Sequence, residues 1–135
     1  MKILVSACLL GENCKYSGGN NYNQAVCDFA RGHQVVPVCP EVLGGLPTPR
    51  CPAEIVQGVV TNKEGINVDR EFRAGAAKAL AIAKENRVEL AILQSRSPSC
   101  GVKEIYDGTF SGTKIPGQGV FAKMLMDEGI RVLDA

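Results

Sequence analysis

The chain has 135 residues, and its 15 Lys and Arg against 14 Asp and Glu leave a net charge of +1. That length suits a single domain, residues 1–135, able to bury about two-thirds of its unfolded surface without disulfide staples. The balanced charge offers no broad basic face, which argues against a nucleic-acid partner, and no apolar run approaches the roughly 20 residues of a membrane-spanning helix.

Residues 2–6 read as a buried first strand, followed by a loop rich in turn residues from Cys8 to Gly19. Asn23 is placed to cap a helix to about Arg31, with Ala25, Val26, Phe29 and Ala30 facing inward and Gly32 ending it. Residues 34–38 form a second strand. The next segment, Cys39 to Arg50, packs three prolines and two glycines into a shaped loop. Ile55-Val56, Val59-Val60 and Ile66-Asn67-Val68 flank Asn62-Lys63-Glu64-Gly65 and suggest a small antiparallel hairpin off the main sheet.

Asp69 is expected to cap the strongest helix, 70–86, whose stripe of Phe72, Ala76, Ala79, Leu80 and Ala83 can pack closely on a sheet. Residues 88–94 give a third strand. A glycine-rich excursion from Gly101, a helix over 119–128 and an edge strand over Ile130–Leu133 complete the chain. Alternating strands and helices predict an α/β fold: one three-layer, Rossmann-like domain with a mostly parallel sheet and a β-hairpin excursion.

Cys8, Cys39 and Cys100 each follow one of the three apolar runs. In a parallel sheet they share the carboxyl edge, where such sheets bind ligands. Soft thiolates select zinc, copper(I) or iron–sulfur clusters. Three ligands are one fewer than a closed zinc site or simple electron-transfer cluster requires, so a fourth metal position stays open for chemistry. Cys14 or Cys51 could supply a fourth ligand and close the site; Cys27 reads as core. The chain opens at Met1-Lys2 directly into a core strand with no signal peptide, so reduced thiols and a cytoplasmic location are expected.

Glu41, two residues after Cys39, can move protons for an attacking water, or instead cap loop amides or pair with Arg50. Ser97 and Ser99 can hold substrate or donate to sulfur, although serines beside Pro98 also make ordinary turns. His33 is the only histidine and sits at the wrong end of the second strand for a Cys-His couple. Lys15, Tyr16 and Arg50 could contact an anionic or heteroaromatic substrate, or be plain surface residues. No phosphate-loop or dinucleotide fingerprint occurs.

Three stretches, Ser6-Ala7-Cys8-Leu9-Leu10-Gly11, Cys39-Pro40-Glu41 through Pro49-Arg50, and Ser97-Pro98-Ser99-Cys100-Gly101, closely resemble the thiouracil desulfidase family of iron–sulfur proteins. The resemblance spans nearly the whole chain. It implies a 4Fe-4S cluster on Cys8, Cys39 and Cys100, with the fourth iron free for the sulfur of a thiolated base. It further implies attack by water assisted by Glu41, a role for Ser97 or Ser99, and release of a uracil-like product and sulfide without net redox change. Cys51 stands where the family pattern has proline, which keeps an altered ligand set open.

The expected function is therefore desulfuration of a thiolated nucleobase. A non-catalytic iron–sulfur or zinc protein that carries sulfide, senses oxidation or docks a partner is the alternative. A thiol redox protein cycling a pair such as Cys39 and Cys51 is weakest, because no C-x-x-C occurs. The implied partner is a small thiolated base. The sequence carries no signal for oligomeric state.

Overall fold

A computed structural model describes residues 1–135. Its elements in chain order are β1 (Lys2–Ser6), α1 (Gln24–Ala30), β2 (Gln34–Val38), α2 (Pro40–Leu43), β3 (Ala53–Val56), β4 (Val59–Asn62), α3 (Asp69–Glu85), β5 (Leu90–Leu93), β6 (Glu104–Tyr106), β7 (Lys114–Pro116), α4 (Val120–Asp127) and β8 (Arg131–Asp134). The main sheet runs β2-β1-β5-β8 and all three pairings are parallel. β1 is its keystone, pairing Ile3 with Val35 on one side and with Leu90 on the other.

Strand alternation divides the core into two layers. Ile3, Val5, Leu90 and Ile92 pack beneath α1 with Val26 and Ala30. On the opposite face Leu4, Ala91 and Leu93 meet Phe72, Ala76 and Ala79 of α3 and Phe121, Ala122 and Leu125 of α4. Helices thus cover both faces of a parallel sheet, the expected three-layer α/β arrangement.

Small residues set the spacing on the α3 side. Gly75 lies directly against the Pro40 carbonyl and Gly44 against the Glu71 carbonyl, so a Cβ at either position would collide with backbone. This seam seats α2 on α3. A similar one places Gly119, just before α4, against the backbone of Ser99 and Cys100. The first α4 amides donate back to that turn, Val120 N–H to Pro98 O at 2.9 Å and Phe121 N–H to Ser99 O at 2.8 Å.

Several sequence expectations change. Asn23 does cap α1, its Oδ1 accepting from Val26 N–H at 3.1 Å, but of the four residues expected inside only Val26 and Ala30 are buried. Ala25 is exposed, and Phe29 lies outside against His33, ring centroids 5.2 Å apart. Asp69 is the first residue of α3, not its cap: its Oδ1 accepts from Val60 N–H at 3.0 Å and its Oδ2 from Arg73 Nε at 2.8 Å. The carboxylate thereby ties the helix start to the hairpin.

That hairpin turns at Gln57-Gly58, where φ of 49° and 80° give the left-handed pair of a two-residue turn. Asn62 to Gly65 makes a second turn that brings Asn67 against Thr61. The segment read as an irregular loop after Cys39 contains the one-turn α2, with Pro40 at its start and Glu41 in its first turn. The glycine-rich excursion holds the β6–β7 hairpin.

Candidate functional site

The connection from β1 leads to β2 on one side, while that from β5 leads to β8 on the other. Loops therefore part between β1 and β5 at the carboxyl edge, leaving the crevice that open parallel sheets use for ligands. A cleft of about 470 Å³ occupies this place. Cys8, Cys39, Cys100, Glu41, Ser97 and Ser99 all line it.

Each thiol arrives from a different strand. Ser6 ends β1 and Cys8 lies in the 3-10 turn Ala7–Leu10; Cys39 precedes α2; Cys100 ends the turn that follows β5. Cys8 and Cys100 are buried and Cys39 is half-buried. The Glu41 carboxylate bears electrostatically on all three. All six cysteines are free thiols.

Cys14 joins this group, as the sequence had left open. Its carbonyl lies 3.8 Å from Cys39 Sγ, and its thiol stands beside those of Cys39 and Cys8. The neighbouring Cys14 thiol lowers Cys8 and Cys39 to about 7 against the opposing cost of burial, with Asn21 assisting at Cys8 and the Val42 amide at Cys39. The same contacts push Cys14 upward. Burial raises Cys100 to about 12, partly offset by the nearby hydroxyls of Ser6 and Ser99. Cys51 does not line the cleft, and Cys27 lies apart, its thiol 3.8 Å from Leu9 O.

The two serines form an ordered chain. Ser97 Oγ accepts from the amides of Ser99 at 3.1 Å and Cys100 at 3.0 Å. Ser99 Oγ donates to Glu41 Oε2 at 3.0 Å and lies 2.9 Å from Ser97 Oγ. A hydroxyl has one proton to give. With that of Ser99 directed to Glu41, Ser97 is the donor to Ser99.

Glu41 Oε1 accepts from Arg50 Nε at 3.1 Å, with the two side chains 15% and 6% exposed. This is the pairing alternative weighed from sequence; a carboxylate held at both oxygens remains beside the thiols. Arg50 is spent inside the site and is not a surface anion receptor. Asn21, whose Nδ2 lies 3.5 Å from Cys8 Sγ, was missed, because a polar loop residue far from every motif carries no local signal. Tyr106 and Phe110, brought over the cleft by the β6–β7 hairpin, were missed for the same reason. His33 sits before β2, at the end of the strand away from the cleft, as expected.

A profile of the 2-thiouracil desulfurase family matches residues 3–135. This chain belongs to that family. It is 43% identical to the uncharacterized protein YbbK of Bacillus subtilis (strain 168), over 97% of this chain and 93% of that one. The solved structure of the [4Fe-4S]-dependent thiouracil desulfidase TudS superposes with a TM-score of 0.91 at 40% identity, covering 98% of this chain and 89% of that one. As a member of the 2-thiouracil desulfurase family the chain is an enzyme, and its parallel sheet with helices on both faces matches the TudS fold. No helix is long and apolar enough to cross a membrane.

Proposed function

We propose that this chain, one desulfidase-like domain over residues 1–135, removes sulfur from a thiouracil-like base to give the oxo base and sulfide, using a [4Fe-4S] cluster held by Cys8, Cys39 and Cys100. The observation that carries the reading is their meeting at one cleft beside the Ser97–Ser99–Glu41 chain. Six free thiols fit a reducing compartment, the cytoplasm.

The donor set fits such a cluster better than a single ion. Sulfurs around one tetrahedral zinc lie about 3.8 Å apart, from a Zn–S bond of about 2.3 Å. No group of three His, Cys, Asp or Glu side chains is arranged to hold a single metal ion. A cubane spreads its irons, and takes thiolates from farther apart. When bound, the cluster supplies an iron Lewis acid toward the substrate sulfur.

The chain's own residues do the rest. Glu41 takes a proton from the attacking water at a carboxylate oxygen, and the Ser97-to-Ser99-to-Glu41 chain orients that carboxylate. Two amides aimed at Ser97 Oγ, together with its own bond to Ser99, take up its hydrogen-bonding capacity and fix the start of that chain. Tyr16, Tyr106 and Phe110 give the cleft aromatic walls for a planar ring.

Protein purified without oxygen should hold about four irons and four sulfides per chain, as one such cluster requires. It should release sulfide from thiouracil. Glu41→Gln should keep the cluster and lower kcat by about 10²–10⁴-fold, the range for a lost general base. Iron-free protein that cannot be reconstituted, or full turnover by Glu41→Gln, would sink the reading. The position of Cys14 favours one second reading, a closed four-thiol site without catalysis; there Cys14→Ala loses the metal, whereas under the first reading the cluster stays.

A further inference from the structure

We propose that Arg50 is a positioning residue: its guanidinium ties Glu41 to the loop that walls the thiol seat, so carboxylate and wall hold one geometry. The kinetic consequence rests on the desulfuration reading above; the clasp itself does not.

Arg50 lies nine residues beyond Glu41, and its side chain is only 6% exposed. Each of its nitrogens points elsewhere. Nε donates to Glu41 Oε1 at 3.1 Å, Nη2 to Cys14 O at 2.8 Å, and Nη1 to Pro47 O at 3.2 Å and Thr48 Oγ1 at 3.0 Å. Its main-chain amide adds a bond to Tyr16 O at 2.7 Å. A residue serving only its own turn would need just the Nη1 contacts.

The loop has few other ties. Between Asn13 and Asn20 the main-chain bonds run largely within the segment, as from Gly18 N–H to Lys15 O and from Lys15 N–H to Gly19 O. Apart from bonds to its chain neighbours Glu12, Asn21 and Tyr22, those that leave it go to Arg50 and to the Cys39 thiol, 3.8 Å from Cys14 O. This segment brings Cys14, Lys15 and Tyr16 to the cleft. A planar fork can satisfy the carboxylate and a carbonyl in fixed directions at once, which a lysine ammonium on a flexible stem cannot do.

The test compares wild type, Arg50→Lys and Arg50→Met, all prepared without oxygen. It reads iron per chain, amide hydrogen exchange over residues 13–20 with α3 as reference, and kcat and KM on thiouracil. Both variants should keep iron and α3 protection. Exchange over 13–20 should quicken at least about tenfold, and kcat should fall about tenfold to a hundredfold, the scale of a lost charge-assisted hydrogen bond. Lysine should not rescue.

Wild-type kcat in Arg50→Lys, unchanged exchange in both variants, a rise in KM alone, or a kcat that falls only as iron falls would each overturn the proposal. If Arg50→Met does not fold, Arg50→Lys decides. Wild-type protein with its iron but no turnover would sink the desulfuration reading, and the exchange comparison would still decide the clasp.

Discussion

Cys8 and Cys39 stand at about 7 because a third thiol, that of Cys14, lies beside both, whereas Cys100 is raised to about 12 by burial. In cluster-free protein the reactive form is the thiolate. Site-resolved alkylation should therefore reach half its maximal rate near pH 7 at Cys8 and Cys39, with Cys100 unlabelled until far more alkaline conditions. Cys14→Ala removes the shared neighbour, so the midpoints at Cys8 and Cys39 should move upward; midpoints that stay put would refute the contact. The three thiols expected at the sheet edge were legible because each follows an apolar strand. Cys14 was legible only as one of two candidates with Cys51, since its place depends on a loop folding back toward Cys39, which no spacing encodes. The outward-facing Phe29 likewise escaped a reading that placed every large apolar residue of α1 inside.

At the scale of elements, Glu41 is only as well placed as α2, and α2 rests on α3 through Gly44 and Gly75. Gly75→Ala must push the Pro40 carbonyl away. Overpacking of this kind costs about 1–3 kcal/mol, so the melting temperature should fall, and kcat should fall further than the lost stability explains because the carboxylate moves off Ser99. Normal kcat at a temperature where the variant is fully folded would show that the seam does not set the carboxylate. β1 and β2 were read to the residue from sequence because each is one apolar run with polar flanks. α2 was invisible: four residues between a proline-led start and a glycine pair leave no room for a period of 3.6. The hairpin was placed one turn too late because Asn62 to Gly65 has stronger turn composition than Gln57-Gly58, and both segments do turn.

For the whole molecule, the order β2-β1-β5-β8 decides where chemistry can occur. Cys8, Cys39 and Cys100 reach one cleft only when β1 has paired with β2 and with β5 together. A group held by all three sulfurs binds the native sheet and has no matching site on the unfolded chain, so its binding energy adds to folding energy. Reconstitution with iron and sulfide should raise the melting temperature, and Cys8→Ala, Cys39→Ala or Cys100→Ala should each abolish that rise while leaving the melting of the cluster-free form nearer to wild type. Equal melting with and without cluster would refute the linkage. Seen this way, three sulfurs on three strands work as a cross-brace: stripping the cluster, by chelator or oxidant, would loosen the same strand pairings that heat loosens, and a cell short of iron would accumulate a less durable protein as well as an idle one.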